Sequence, residues 1–268
     1  MDPDSMSSWT VMEGFNIESV SFDFMHNVYL GTARDLLGSG IRLFIRQKLY
    51  TCDEGICDKL LAEIQNDMIK DCREYGLYLP QKPALSVASL DCEYPEISPR
   101  FKASHVKKMC WWIAHKSQQF ADRVSDDPVL QVFATTCYYL QRCIEIQDNS
   151  GLVLAEEDAV EASECLYQHL VTYQWLTAYF WEQRETLFRV RPKHHYLAHQ
   201  SFQLKAWKLN QCMFATFDEE SFLGKAKAIW QKCHGKTASK RFYDRYLLCL
   251  AMMLEEHRRF VTHKSEPN

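Results

Sequence analysis

Over residues 102–209 apolar side chains recur at α-helical spacing in four long blocks, 102–124, 128–146, 156–188 and 192–209. A helix with one apolar face must bury it, and a run of such helices buries each face against the next, so this stretch commits the chain to helix-on-helix packing. The same period appears earlier. Met25, Val28, Tyr29, Thr32 and Leu36 share a face, Gly38-Ser39-Gly40 reads as a stop, and a second apolar run follows through Leu43, Phe44 and Leu49. A helix over 53–75 that ends near Gly76 would turn Ile56, Leu60, Leu61, Ile64 and Met68 inward. Residues 77–99 carry four prolines and read as an irregular connection. The block at 156–188 holds Tyr167, Tyr173, Trp175, Tyr179, Phe180 and Trp181, a stripe that reads as core rather than as a platform for stacking bases. Two further helical patterns, 216–234 and 239–261, close the chain, and one alternating piece at 15–22 is the single strand candidate. The expected fold is all-α, a multi-helix bundle with at most a short N-terminal strand; there is no internal repeat and no low-complexity tract.

With 268 residues, 47% of them hydrophobic, the chain can bury a sizeable core. No apolar run reaches the roughly 18 residues that a membrane span needs, and the Met1-Asp2-Pro3-Asp4 start lacks the basic and apolar regions of a secretory signal, so the expectation is an intracellular protein with no membrane partner. Eleven cysteines are scattered without a CxxC pair, which argues against a disulfide framework or zinc ribbon; they read as reduced, mostly buried small hydrophobes. Charge is divided unevenly. Residues 189–264 hold 15 Lys and Arg against 6 Asp and Glu, a net +9, while the remainder holds 16 against 29, a net −13. A basic C-terminal part suits a polyanion, since Lys and Arg neutralise phosphates and release counterions. It equally suits ordinary solvated helix faces.

Three short stretches carry side chains that could do chemistry. Asp23 and His26 lie three apart at the entry of the first helix; Asp23 reads either as an N-cap or as an orienting group, and His26 as a partner for it. The stretch 191–199, Arg-Pro-Lys-His-His-Tyr-Leu-Ala-His, opens a helix on Pro192 and sets His195 and His199 one turn apart on one face. Two histidines at that spacing can bind zinc, but no HExxH or cysteine pair accompanies them, so a structural or phosphate-contacting role is the better reading. In the pattern at 216–234, Thr216 and Glu219 have the form of a capping box, and Phe222, Leu223, Ala226, Ile229, Trp230 and Cys233 form an apolar stripe. Glu220 points away from that stripe, with Gly224 one turn below it and Lys227 beyond, where another group can approach closely. No phosphate loop, nucleophile elbow or dinucleotide fingerprint occurs, which disfavours kinase, hydrolase and dinucleotide-dependent readings.

These stretches resemble one family. Residues 23–31, DFMHNVYLG, resemble the D-x-M-H segment with a following Leu-Gly in eukaryotic DDE transposases of the CACTA (En/Spm-like) class, where it belongs to the C/D(2)H signature. Residues 191–199, with Lys193, His194, His195 and His199, are similar to the family's Lys-Pro-Lys-x-His stretch, and 219–229 look like the helix bearing its last catalytic acid, which falls on Glu220. The resemblance implies metal-assisted phosphoryl transfer, in which three carboxylates on an RNase H-like fold hold two Mg²⁺ or Mn²⁺ ions for in-line attack on DNA. Glu220 would be the one metal ligand of that set in this chain. The other two acids belong on strands upstream of the D-x-x-H segment, and 22 residues precede Asp23. The 197 residues from Asp23 to Glu220 suit the family members that insert a large helical domain before the last acid.

The expectation that follows is a transposase-derived fragment. It comprises a truncated segment at 1–22, a helical insertion-like domain at 23–188, a basic C-terminal part of the catalytic domain at 189–264, and a tail at 265–268. Such a chain would bind DNA without sequence preference through Arg191, Lys193, Lys225, Lys227, Lys236, Lys240 and Arg241, would hold no metal tightly on its own, and would neither cut nor join DNA. Nuclear localisation and a homo-oligomer are compatible with it. The rival reading is an all-α protein-interaction module in which the histidines are structural; a zinc-dependent enzyme built on His195 and His199 is a third.

Overall fold

The computed structural model describes residues 22–216 and, beyond them, 227, 230–231, 241, 243–248 and 251–252. The chain is an all-α, multi-helix bundle. A π-helical segment, Met25–Thr32, runs directly into α1 (Ala33–Arg46). Then come α2 (Asp58–Glu74), the single turn α3 (Val87–Leu90), α4 (Ala103–Arg123), α5 (Pro128–Asp148), α6 (Glu156–Glu182), α7 (Pro192–Trp207) and a 3₁₀ turn, Gln211–Phe214. Among the described residues the only β feature is an antiparallel bridge between Val153 and Leu209. The strand candidate at 15–22 lies outside them but for Phe22, which is irregular.

Successive helices α4, α5, α6 and α7 pack side by side, and the π segment with α1 lies across α4 and α7. Short connections produce this order because an amphipathic helix finds its nearest apolar partner in the helix before it. The join between α4 and α5 is well specified. Asp127 accepts hydrogen bonds from the Val129 and Leu130 N–H groups at 2.8 and 3.1 Å, and Pro128 starts the helix where no N–H is needed. The middle of the core is aromatic. Phe44 meets the rings of Trp112, Phe120 and Phe133 edge-on at 6.3, 4.8 and 5.6 Å, and Phe133 passes the contact to Phe188 and so to Tyr173 and Phe180.

Four local expectations need correcting. Gly38-Ser39-Gly40 does not stop a helix: α1 runs through it, and all three residues are buried. A Cβ on Gly38 would stand 2.4 Å from the Glu96 Cα, and one on Gly40 2.3 Å from the Phe133 ring, so these glycines admit neighbours rather than end the helix. α2 begins at Asp58 instead of Asp53, and α6 ends at Glu182, well short of Phe188, because Arg184 and Phe188 take positive φ. Of the aromatics on α6 only Tyr173 and Phe180 belong to the core; Tyr167, Trp175 and Trp181 are 46%, 42% and 72% exposed.

The chain divides into two compact units, Met1–Ala215 and Thr216–Asn268. Helix α7 packs on α6 and on the π segment, within the first unit. In the second unit the described residues after Thr216, which lies in a turn, are helical, with Lys227, Trp230 and Arg241 exposed. Residues 217–226, which hold Glu220, Gly224 and Lys225, and residues 232–240, which hold Lys236 and Lys240, lie outside the described residues.

Candidate functional site

The segments 22–31 and 191–200, far apart in sequence, fold against each other. Asp23 opens the first of them as a cap: its Oδ1 accepts from the Met25 N–H at 2.9 Å, its backbone carbonyl from the Asn27 N–H at 3.0 Å, and its Oδ2 pairs with His26 Nδ1. The helix then widens. The Ala33 N–H reaches back five residues to the Val28 carbonyl, and Gly31 leaves helical geometry at φ −133° and ψ −109°. π-helical turns of this kind often accompany functional positions, because they expose backbone groups that a regular helix keeps paired.

Lys193, in the first turn of α7, fills that opening. Its Nζ donates to the His26 carbonyl at 2.6 Å and to the Leu30 carbonyl at 3.3 Å. Gly31 makes this possible, since a Cβ there would lie 2.5 Å from Lys193 Cδ. Burial, helped by the neighbouring Arg191, lowers the Lys193 ammonium from its usual range. Below it, buried Gln200 accepts from Asn27 Nδ2 at 3.0 Å and donates to the Phe22 carbonyl at 2.9 Å, and Tyr196 stacks on Phe22 at 4.7 Å. All five contacts run between the same two segments.

The histidines divide by role. His194 is buried; its Nδ1 accepts from the Arg191 N–H at 3.0 Å, closing the first turn of α7, and burial lowers it to about 4. His195 and His199 are exposed and share a hydrogen bond between their Nε2 atoms at 3.0 Å. No third metal-ligating side chain joins them among the described residues.

Behind α7 lies a charged cluster that sequence reasoning did not anticipate. Asp35, on α1 and 1% exposed, accepts through Oδ1 from Arg189 Nε at 3.0 Å and Arg191 Nη2 at 2.7 Å. Both guanidiniums also pair with Glu96 Oε2. Burial pushes the Asp35 carboxyl up to about 7 against the pull of Arg191. The signal was available: Asp35 stands next to Leu36, on a helix whose period makes its position an inward one.

Of the seven proposed phosphate contacts, then, Arg191 and Lys193 direct their charges inward, Lys227 and Arg241 are exposed, and the other three lie outside the described residues. Among the described residues the one group of three metal-ligating side chains is Cys52, Glu54 and Cys57, which is not a carboxylate trio. Asp23 pairs with an imidazole and Asp35 shares two guanidiniums with Glu96, and among the described residues neither belongs to a group of three metal-ligating side chains. An open pocket of about 740 Å³ elsewhere in the first unit is lined by Arg42, Arg46, Arg184, Asp91, Glu93 and Glu185, whose charges cancel. No described helix is long and apolar enough to cross a membrane. No family model, no curated protein and no solved structure matches this chain.

Proposed function

We propose that this chain is derived from a DDE transposase of the CACTA type and acts as a DNA-binding protein that does no strand transfer by itself. The observation that carries the reading is the junction just described: the D-x-x-H segment and the Lys-x-His segment, 163 residues apart at Leu30 and Lys193, touch through Lys193. On this reading the junction is a scaffold that holds α7 in register with the π segment. DNA is met by the basic residues that follow, Lys225, Lys227, Lys236, Lys240 and Arg241, and Glu220 is the last member of a metal-binding set that this chain does not complete.

The test is the salt dependence of binding to a short duplex of arbitrary sequence. Five phosphate contacts give a slope of log affinity on log salt of about −4.5. Replacing Lys227 and Arg241 with alanine lowers its magnitude by about 2. Binding that is absent, or indifferent to salt, sinks the proposal. Nicking in Mg²⁺ or Mn²⁺ that disappears in Glu220→Ala overturns its second half.

A second reading, a protein-interaction module, is favoured by one observation. Val160, Tyr167, Val171 and Trp175 are 39–46% exposed at spacings of seven, four and four along α6. That is one helical face left half covered. Duplex DNA binding that survives Tyr167→Ser with Trp175→Ser separates the two.

A further inference from the structure

The loop from α1 to α2 contains Cys52-Asp53-Glu54-Gly55-Ile56-Cys57. Gly55, at φ +74°, turns the chain back, and its N–H donates to the Cys52 carbonyl at 3.1 Å. The turn brings Cys57 Sγ to 3.5 Å from Cys52 Sγ. The Glu54 carboxylate joins them, so that all three ligand atoms lie within 4.8 Å of one another. None of the three is part of the hydrophobic core: both thiols are half-buried and Glu54 is exposed.

From this geometry we infer that Cys52, Glu54 and Cys57 form a site for a thiophilic divalent cation such as Zn²⁺, bound by two thiolates and one carboxylate with the fourth position open to water. The spacing is the first argument. In a tetrahedral site with Zn–S near 2.3 Å two sulfurs stand about 3.8 Å apart, whereas a disulfide needs about 2.05 Å. At 3.5 Å the observed pair lies near the chelate distance and far from the bonded one. Charge is the second. Asp53, Glu54 and Asp58 cluster on the same turn with no basic residue between Thr51 and Asp58, so a cation relieves repulsion there. The place of Cys57 is the third. It is the N-cap of the 17-residue helix α2, whose first turn receives no side-chain cap, and the positive end of a helix favours a thiolate. Binding one M²⁺ releases the two thiol protons and forms two M–S bonds and one M–O bond; no oxidant or reductant takes part.

The ligand set differs from that of the transposase metals in kind. Mg²⁺ is a hard cation that takes oxygen ligands, and two sulfurs make this a poor site for it. The inference therefore stands or falls separately from the proposed function.

Cobalt is the probe. The reduced, metal-stripped full chain is titrated with Co²⁺ and read by absorbance. One Co²⁺ per chain should give the thiolate-to-cobalt charge-transfer band and the visible bands of a tetrahedral ion, both abolished by stoichiometric Zn²⁺. Cys52→Ser and Cys57→Ser should each lose the charge-transfer intensity, whereas Cys92→Ser, which alters the exposed thiol of the 77–99 connection, should keep it. Glu54→Gln, which leaves both sulfurs in place, should weaken Co²⁺ binding about tenfold. Far-ultraviolet circular dichroism should be unchanged in every variant, since the loop lies outside the core. An absent charge-transfer band, a band that persists in Cys52→Ser, or an unchanged affinity in Glu54→Gln would each overturn the three-ligand site. So would a chain that accepts no cobalt after reduction but forms a Cys52–Cys57 disulfide in air.

Discussion

Lys116 and Asp35 are both taken almost out of water, at 9% and 1% side-chain exposure, and each meets two ions of the opposite sign. Lys116, on α4, places Nζ 2.9 Å from Asp67 Oδ2 and 2.8 Å from Asp71 Oδ2 on α2. Asp35, on α1, lies between Arg189 and Arg191. The two groups respond in different ways. Burial lowers the Lys116 ammonium, yet its two carboxylates more than offset that and leave it raised, so it stays charged. Burial raises Asp35 to about 7, and its two guanidiniums fail to bring it back. The partners explain the difference. Asp67 and Asp71 are themselves 30% and 16% exposed, and Asp67 also accepts from the Tyr50 hydroxyl. Both arginines, in contrast, bond the same oxygen of Asp35; Oδ2 is buried with no hydrogen-bond donor among the described residues, and Glu96 competes for the same cations. Two counter-ions are enough only when every polar atom of the buried group is served and the counter-ions are not shared.

The largest effect expected from this comparison is that of Arg191→Met. It leaves Asp35 with one cation and opens the start of α7, and should cost about 3 kcal/mol in urea unfolding at pH 8. The loss should be about 1 kcal/mol smaller at pH 6, where Asp35 is protonated in both proteins. Equal losses at the two pH values would mean that Arg191 contributes nothing through the Asp35 charge. Lys116→Met comes next, at about 2 kcal/mol, because the two acids it abandons reach water. Its loss should be the same at pH 6 and pH 8. If it grows with pH as in Arg191→Met, the contrast between the two clusters disappears.

How much of this was legible in the sequence depends on whether a feature is local. The blocks at 102–124, 128–146 and 192–209 became α4, α5 and α7 within a few residues, because helical period and a proline or aspartate at the start are local signals. The Asp23 cap was equally local. Gly38 and Gly40 misled because what they accommodate, the Glu96 backbone and the Phe133 ring, comes from distant segments that no local pattern reveals. The α6 stripe misled for a related reason: aromatic residues sit on more than one face of that helix, and only Tyr173 and Phe180 meet Phe188. At the candidate site, the two motif segments were singled out before their meeting could be seen, but the side chains that join them, Asn27, Gln200 and Gly31, are polar or small and gave no periodic signal. Cys52 and Cys57 escaped because four residues separate them rather than two, and the turn that closes the gap depends on the φ of Gly55.

The smallest prediction isolates Asp35 through its opposition to two histidines. His169 donates from Nδ1 to the Thr136 carbonyl at 3.0 Å and is lowered to about 4 by burial; His194 is lowered to about 4 for the same reason. Unfolded histidines titrate near 6.5. Between pH 4 and 6.5 the unfolded chain therefore binds two protons that the folded chain refuses, and these two groups make stability fall as pH falls. Asp35 has the opposite sign: from about 4 to 7 the folded chain keeps a proton that the unfolded chain gives up, so its contribution makes stability rise as pH falls. His105, lowered by burial to a lesser degree, adds a little to the histidine side. The net is about one proton, so the wild-type chain should lose about 1.4 kcal/mol per pH unit in the middle of the window. Replacing both His169 and His194 with Gln removes the larger side of the balance. The slope should then reverse, with stability rising from pH 6.5 toward pH 5, whatever fixed cost the substitutions carry. A urea-midpoint series over that range reads the sign directly. An unchanged slope would mean that the histidines are not the titrating groups. A slope that flattened without reversing would mean that Asp35 is held ionised by its arginines, and that it resembles Lys116 after all.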